Sequence, residues 1–318
     1  MRILTDHRIP QSDRWQLATE LTDRRRFPGY IGALLHTIRV AFGWRKYDVL
    51  ITANIQHALV SCLIKRLWPF GAPRIMVLET RMDDPSPTLK WKAKRALQRF
   101  AFQSVDLICV SARQEIDIYG ERLRLPTNKF QFVPWHTNVL DPQVASSEGD
   151  YIFSAGRTGR DWHTFLDAVR GMPWKVVVVS SRAAMPLHSV PDNVTVYSDI
   201  PHSQYLHLLE NARVVVVPLE THVYSSGQVA FLEAMALGKP VVATDVVGTE
   251  DYIEDNVNGL LVPPYSSGAI REAIRRILGD HELADRMRRR AVERVIERHT
   301  LDAYVSTILR LATRHVPS

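Results

Sequence analysis

Residues 214–264 read VVVVPLETHVYSSGQVAFLEAMALGKPVVATDVVGTEDYIEDNVNGLLVPP, and this stretch decides the fold. Its pattern predicts a buried strand, a Ser/Gly-rich loop, a helix with one internal carboxylate, a Gly-Lys-Pro turn and a second buried strand. A helix that opens on small residues after a parallel strand favours anions, because its first N–H groups lack partners and its dipole attracts negative charge. Ligands of open α/β sheets bind at these carboxyl ends of strands. The second half of the chain is therefore predicted to bind a phosphorylated ligand.

Short apolar runs alternate with helical periods on both sides of a polar stretch, DPQVASSEGD, at residues 141–150. Such alternation predicts βαβ units and parallel sheets, and its restart after the polar stretch predicts two domains. The fold class expected is α/β, with two doubly wound, Rossmann-like domains facing each other across a cleft. We expect an N-terminal domain at 1–143, a C-terminal domain at 150–298, and a last helix at 299–318 that crosses back to the N-terminal domain.

The composition is that of an ordinary folded protein, with 318 residues of which 46% are hydrophobic and 23% charged. Cys62 and Cys109 lie in apolar runs without a CxxC partner, which argues against a metal site or disulfide framework and indicates a reducing compartment. The N-terminus does not have the pattern of a signal peptide, and no stretch approaches the ~18 uncharged apolar residues of a membrane span. A cytoplasmic protein is expected.

The charge is divided unevenly along the chain. Residues 1–145 hold 22 Lys and Arg against 13 Asp and Glu, a net charge of +9, whereas residues 146–318 hold 18 against 21. Such an asymmetry indicates that the first half faces something anionic, either nucleic acid or a membrane surface.

Two stretches of the second half are candidates for the anion site. Ser225, Ser226, Gly227 and Gln228 would place hydroxyl and N–H groups at the start of a helix at 228–236. Glu233 lies in that helix among apolar neighbours, where a buried carboxylate needs a partner such as ribose hydroxyls, unless it faces solvent at the helix edge.

The second stretch, YIFSAGRTGRDWHTFLDAV at 151–169, follows the polar stretch. A strand there ends at Gly156 and Arg157, and a helix begins after Gly159 and Arg160. Guanidinium groups at such a turn suit phosphate oxygens, although an ordinary turn with solvated arginines has the same pattern. The glycines are too few for a dinucleotide or Walker fingerprint.

These phrases, together with NGLLVPPYSSGAIREAIRRIL at 258–278, resemble the nucleotide-binding domain of the retaining, group-1-type glycosyltransferases with the GT-B fold. The resemblance is specific from Tyr151 to Leu278 and loose in the first hundred residues. It implies a site for a nucleotide diphosphate sugar as donor substrate, with no cofactor and no obligatory metal. In that site Arg157 and Arg160 are the catalytic residues that neutralise the diphosphate, and Glu233 holds the ribose hydroxyls.

The chain departs from the family pattern at two places. Ser225 replaces the first glutamate of the family's paired-glutamate motif, which helps to position the transferred sugar. In the first half, RIMVLETR places Glu79 where the family often has a histidine. Glu79, His57 and His136 are the polar candidates for contact with the acceptor or the sugar, although a lone histidine is more often structural.

A basic amphipathic pattern, LKWKAKRALQRFA, occupies residues 89–101. It is typical of a helix that binds anionic lipid at the membrane interface, or of a sheet-covering helix with a solvated basic face. No motif for reading nucleic acid accompanies it. The residues expected at a membrane are Lys90, Trp91, Lys92, Lys94, Arg95 and Arg99.

The expected function is a retaining glycosyltransferase whose acceptor is a glycan, free or lipid-linked, at the inner face of the cell membrane. Nucleic acid is not expected as a partner. Two alternatives remain open from the sequence: a non-catalytic binding or scaffold protein of the same fold, and a sugar-nucleotide epimerase, which would need no acceptor surface.

Overall fold

The computed structural model describes residues 1–22, 29–145, 149–185 and 189–314. It divides into two compact units. Met1–Val133 and Asp302–Ser318 form the first unit, and Pro134–Leu301 form the second.

The first unit is built on a six-stranded sheet in the order β2-β1-β3-β4-β5-β6, with every pairing parallel. β3 and β5 are buried along their whole length, because their VLIT and LICV sequences are apolar on both faces of the sheet. The strands are β1 (Ile3–Thr5), β2 (Thr19–Leu21), β3 (Val49–Thr52), β4 (Arg74–Val77), β5 (Leu107–Val110) and β6 (Phe130–Phe132). The helices are α1 (Asp13–Ala18), α2 (Gly29–Ala41), α3 (Ile55–Leu67), α4 (Leu89–Phe102), α5 (Gln114–Leu123) and, from the end of the chain, α11 (Leu301–Thr313).

The sequence patterns did not predict α1 and β2. Both are short, and α1 is held by two local contacts that leave little trace in periodicity. Ser12 caps α1 by accepting from the backbone N–H of Trp15, and the Trp15 indole donates to the carbonyl of His7 at 3.0 Å. Trp15 is 2% exposed, so this one side chain anchors the segment.

The second unit contains a six-stranded parallel sheet in the order β12-β11-β10-β7-β8-β9. Its strands are β7 (Tyr151–Ala155), β8 (Lys175–Ser180), β9 (Val194–Ser198), β10 (Ala212–Val217), β11 (Val241–Thr244) and β12 (Leu260–Val262). The helices are α6 (Trp162–Val169), α7 (His202–Glu210), α8 (Gln228–Ala236), α9 (Ser267–Gly279) and α10 (His281–Arg298). The prediction of two doubly wound α/β units is confirmed.

The strand order of the second unit changes direction between β7 and β10, which pair with each other at the centre of the sheet. The loops that leave these two strands are joined by backbone hydrogen bonds. Asp161 donates to the carbonyl of Pro218 at 3.1 Å, and Glu220 donates to that of Gly159 at 3.2 Å. A direction change of this kind is the place where doubly wound sheets bind ligands.

The first unit ends at Val133, ahead of the predicted boundary at 143. The stretch interpreted as a linker is bonded to the second unit over its described residues. Gln143 donates to the carbonyl of Ala236 at 2.8 Å, Ala145 donates to that of Leu237 at 3.2 Å, and Ala145 is buried. Its polar, aperiodic sequence reflects irregular backbone that packs on α8, not a free linker.

Helix α11 belongs to the first unit. The Tyr304 hydroxyl donates to Glu79 Oε1 at 3.2 Å, and the inner face of the helix is buried. Over the described residues, no helix combines the length and the apolar character that crossing a membrane requires.

Candidate functional site

A cavity of about 420 Å³ opens at the carboxyl edge of the second unit's sheet, beside the direction change between β7 and β10. The ends of β7 and β8, the segment after β9 and the first turns of α7 and α8 form its walls. It is lined by Asn138, Ala155, Gly156, Arg157, Arg160, Val179, Ser180, Asp199, Ile200, His202, Tyr205, Val229, Ala230 and Glu233.

Arg160 folds back over Gly156 at one side of this cavity. Gly156 has φ 149°, and a Cβ atom at this position would lie 2.3 Å from Arg160 Nε. Only glycine allows this approach, and it lets the guanidinium donate to the carbonyls of Ala155 at 3.0 Å and Thr158 at 3.1 Å. The glycine of the predicted turn therefore positions the arginine.

The Arg160 guanidinium is a cation without a carboxylate partner among the described residues. Its partners there are the two backbone carbonyls, and burial lowers its pKa from 12.5 to about 10. Arg157 also lines the cavity but is exposed, and its side chain makes no hydrogen bond to any described residue. Two guanidinium groups, one held by backbone carbonyls and one exposed, thus offer positive charge to a ligand.

Glu233 lies in α8, lines the same cavity and is fully buried, so the alternative that it faces solvent is wrong. Its carboxylate accepts from Asn138 Nδ2 at 2.9 Å and from the Tyr205 hydroxyl at 2.8 Å. Both partners are neutral. Burial and the neighbouring Glu233 charge raise the pKa of Tyr205 well above 10, so that hydroxyl keeps its proton. Glu233 is thus held ready as an acceptor of hydrogen bonds.

The start of α8 is set by Gly227, which has φ 88° and lies where a Cβ atom would come within 3.0 Å of Leu219. The four predicted residues 225–228 stand just before the cavity-lining part of this helix and are not among the residues that line the cavity. Ser226 packs instead on the 156–160 turn. Its Oγ lies 3.5 Å from the place of a Cβ on Gly159 and is buried without a hydrogen-bond partner among the described residues.

An aromatic pair forms a third wall that the sequence reasoning did not identify. His202 and Tyr205 stack with ring centroids 5.5 Å apart and planes at 20°. With Asp199, which has φ 55°, they follow the carboxyl end of β9. No sequence motif marks these residues. Only their position directly after a parallel strand could have indicated that they line a ligand site. Asn138 was also missed; it follows the polar candidate His136 by two residues.

In the first unit, Glu79 follows β4 and His57 follows β3, and each lies close to a residue that follows β1. His7 Nε2 is 3.4 Å from Glu79 Oε1, and His57 Nδ1 is 3.6 Å from Asp6 Oδ2. Glu79 has φ 52°, a conformation that bulky residues rarely adopt. Burial, with a smaller contribution from Asp6, raises the pKa of Glu79 from 4.5 to about 7. His7 and Asp6 were not predicted.

His136 lies in the second unit, contrary to the prediction that placed it in the N-terminal domain. Its Nδ1 is 2.9 Å from the carbonyl of Thr137, and its ring stacks on Trp135 at 5.9 Å. Burial lowers its pKa below the usual 6.5. These contacts make His136 part of the packing of this segment.

Some of the residues predicted to contact a membrane pack against other parts of the first unit, and others are exposed on α4. Trp91 is half-buried between guanidinium groups, since Arg95 and Arg122 each lie 5.2 Å from its ring, and its contact with lipid stays a prediction. Lys94 pairs with Asp83, and Arg99 donates to the carbonyl of Arg122 at 2.8 Å. Lys90 and Lys92 are exposed.

No group of three or more His, Cys, Asp or Glu side chains suited to a metal ion occurs among the residues that the structure describes. The charged groups of the cavity are the guanidinium groups of Arg157 and Arg160 and the carboxylates of Asp199 and Glu233; its other polar groups include the Asn138 amide, the Ser180 hydroxyl and the aromatic pair. This set can bind an anion through the guanidinium groups and neutral hydroxyl groups through the carboxylates.

Part of the second unit matches a known protein family. Residues 182–294 match the model of the family described as glycosyl transferases group 1. Alpha-D-kanosaminyltransferase from Streptomyces kanamyceticus is 28% identical over 141 residues, which are 42% of this chain and 36% of that protein. O-antigen chain mannosyltransferase C from Escherichia coli is 25% identical over 240 residues, 68% of this chain and 63% of that protein. The chain spans less than two thirds of the length of these relatives.

Solved structures give the same result for the fold. Sucrose-phosphate synthase from Thermosynechococcus elongatus superimposes with a TM-score of 0.70 at 20% identity, covering 91% of this chain and 79% of that one. Anabaena HepE in complex with UDP gives a TM-score of 0.71 at 15% identity, covering 92% and 85%. The resemblance seen in the sequence is confirmed: residues 182–294 match the group 1 glycosyltransferase model, and the chain has the GT-B fold of the glycosyltransferases that it superimposes on.

Proposed function

We propose that this chain is a group 1 glycosyltransferase, a retaining, metal-independent enzyme that transfers a sugar from a nucleotide diphosphate sugar to a hydroxyl-bearing acceptor. One observation carries the proposal. Arg160, a guanidinium with backbone carbonyls as its partners, lines the same cavity as Arg157 and the buried Glu233.

In this proposal the arginines bind the diphosphate and Glu233 accepts hydrogen bonds from the ribose hydroxyls. A carboxylate held by two neutral donors, Asn138 and Tyr205, retains lone pairs for such hydroxyls. His202 and Tyr205 would offer an aromatic surface to the base or the sugar. HepE was solved in complexes with UDP and with UDP-glucose, so uridine diphosphate sugars are the first donors to test.

The reaction needs management of charge more than a protein nucleophile. The bond between the sugar carbon and the diphosphate oxygen breaks, and negative charge develops on that oxygen. Arg157 and Arg160 would stabilise this charge through groups already in place. The acceptor oxygen would bond to the same carbon from the same face, and its proton would pass to the departing diphosphate.

For the acceptor we propose a glycan or a lipid-linked glycan, with His57 and Glu79 of the first unit among its contacts. Glu79, His7 and Asp6 form a polar cluster at the carboxyl edge of that unit's sheet. A lipid-linked acceptor would make the enzyme a peripheral protein at the inner face of the cell membrane.

The replacement of the family's first glutamate by Ser225 keeps a non-catalytic binding protein as the second candidate. Calorimetry with UDP, GDP and ADP, followed by assays of sugar release from the matching donors, separates the two. We expect micromolar binding of one diphosphate and turnover of its sugar donor, with retention at the anomeric carbon and no loss in a chelator. Binding without turnover of any donor supports the scaffold, and isomerised donor without an acceptor supports an epimerase.

A further inference from the structure

Helix α4 carries its apolar residues on the outside of the first unit. We call Leu89, Ala93, Ala96, Leu97 and Phe100 the outer row; all five are exposed, and the three large ones are 83%, 44% and 47% exposed. At about 100° per residue these positions fall within an arc of roughly 100°. The opposite face, with Gln98, Ala101 and Phe102, is the buried one. A sheet-covering helix would have the reverse arrangement.

Cations border the outer row on both sides. Lys92 lies on one flank and Lys90 on the other; both are exposed, and neither side chain is bonded to any described residue. No acidic residue occurs from residue 85 to residue 105. The other cations of α4 are engaged in its own packing, through Asp83, Trp91 and the carbonyl of Arg122. The exposed side of the helix is thus apolar at its centre and positive at its edges.

The apolar surface continues beyond the end of the outer row. The Arg66 guanidinium lies over the Phe100 ring at 5.6 Å, which connects α4 to the segment that follows α3. Leu67, the last residue of α3, and Trp68 and Phe70 after it are 72%, 66% and 72% exposed, and the two rings contact each other edge to face at 6.1 Å. A single surface therefore combines a helix face with an aromatic loop.

We propose that the outer row and the Leu67–Phe70 segment dock on the surface of an anionic lipid bilayer. An amphipathic helix with this arrangement lies in the interface plane, with its apolar residues at the acyl boundary. The flanking lysines reach the anionic headgroups while their stems stay along the apolar surface. The docking surface is inferred from α4 and the Leu67–Phe70 segment alone; its link to a lipid-linked acceptor rests on the proposed function.

A second copy of the chain is a less suitable occupant of this surface. A two-fold interface brings the same patch of both copies together, so the lysines of one copy would face those of the other. The first half of the chain has a net charge of +9, and α4 itself contains no acidic residue. Anionic lipid supplies the missing negative charge.

The test is binding of the full chain to vesicles of phosphatidylcholine, with and without phosphatidylglycerol, measured by co-sedimentation. We expect binding to the mixed vesicles and little binding to phosphatidylcholine alone. Leu97→Ser with Phe100→Ser should weaken it at least tenfold, because both side chains leave the acyl boundary. Lys90→Gln with Lys92→Gln should weaken it about thirtyfold, since each lysine contributes about fivefold near an anionic surface.

Matched controls come from the second unit. Leu140→Ser with Ile296→Ser removes apolar groups that are 79% and 54% exposed, and Arg286→Gln with Arg289→Gln removes two exposed cations. These pairs should bind vesicles like the parent chain. Equal loss from the controls, or binding indifferent to the outer-row and lysine changes, overturns the proposal. So does self-association in solution that the outer-row change abolishes.

The nucleoside diphosphate affinity of the same variants separates this inference from the proposed function. All of these substitutions lie outside the donor cavity, so calorimetry with UDP should give the parent value. If the chain binds vesicles as expected but no nucleotide, the docking surface stands and the proposed function fails. If it binds nucleotide but no vesicles, the proposed function stands and the docking surface fails.

Discussion

Replacing Arg160 by methionine should weaken diphosphate binding and leave the free energy of unfolding almost unchanged. Burial lowers the pKa of this guanidinium from 12.5 to about 10. For a base, a folded-state pKa below the unfolded value opposes folding, and the cost is complete below pH 10 and relieved only above pH 12. At about 1.4 kcal/mol per unit this cost reaches at most about 3 kcal/mol at neutral pH, and about 2 kcal/mol after allowance for partial solvent access.

The substitution also removes two hydrogen bonds. The carbonyls of Ala155 and Thr158 lose a donor, at about 1 kcal/mol each. The two effects nearly cancel, so we expect Arg160→Met to change the free energy of unfolding by less than about 1 kcal/mol. A bound diphosphate would lose a charge-assisted pair of hydrogen bonds, about 3 kcal/mol or about a hundredfold in affinity.

Two assays check this pair of expectations. Urea unfolding of the ligand-free protein gives the stability change, and calorimetry with UDP gives the affinity change. Arg157→Met is the matched control: its exposed side chain has no hydrogen bond to any described residue, so the substitution should leave stability unchanged and weaken UDP binding less. A loss of more than about 2 kcal/mol in unfolding free energy with unchanged UDP affinity would show that Arg160 is a structural residue, and the reasoning would be refuted.

Three further substitutions test separate parts of the account. Glu233→Gln should weaken UDP binding about tenfold and 2′-deoxy-UDP binding by less, because the lost carboxylate serves the ribose; equal losses for both nucleotides contradict that role. Gly156→Ala should displace the Arg160 side chain, whose Nε lies 2.3 Å from the new Cβ position, and weaken UDP binding at least tenfold. The control is Gly171→Ala: this glycine has φ 69° and open space around it, so the substitution should lower the unfolding free energy without changing UDP affinity. Glu79→Gln should raise the unfolding free energy by about 2 kcal/mol at pH 8 and change it little at pH 5. The pKa of Glu79 is about 7 in the folded protein and 4.5 in the unfolded chain, so ionisation of Glu79 destabilises the fold as the pH rises between those values. A gain that is the same at both pH values counts against a raised pKa.

The sequence predicted the architecture well because buried parallel strands leave an unambiguous pattern. The run VVVV at 214–217 is apolar throughout and VVAT at 241–244 is apolar up to its last residue, and the structure buries every residue of both. The same logic located the turn at Gly156 and the helix with Glu233. The short elements α1 and β2 escaped, since they depend on single contacts of Trp15 and not on periodicity.

Side-chain direction was less predictable. The amphipathic pattern of α4 shows that two faces differ but not which one packs, and the structure turns Trp91 inward and Phe100 outward. The cavity residues His202 and Tyr205 carry no motif, because their role depends on the strand that precedes them. Asn138 reaches Glu233 from 95 positions away along the chain, a pairing that spacing alone cannot indicate.

The most direct measurement of the central claim is a crystal structure of the chain with UDP. We expect the diphosphate within hydrogen-bond distance of Arg157 and Arg160, and the ribose hydroxyls donating hydrogen bonds to the Glu233 carboxylate. A nucleotide bound elsewhere, or a cavity that stays empty at saturating UDP with Arg160 still on its two carbonyls, would contradict it.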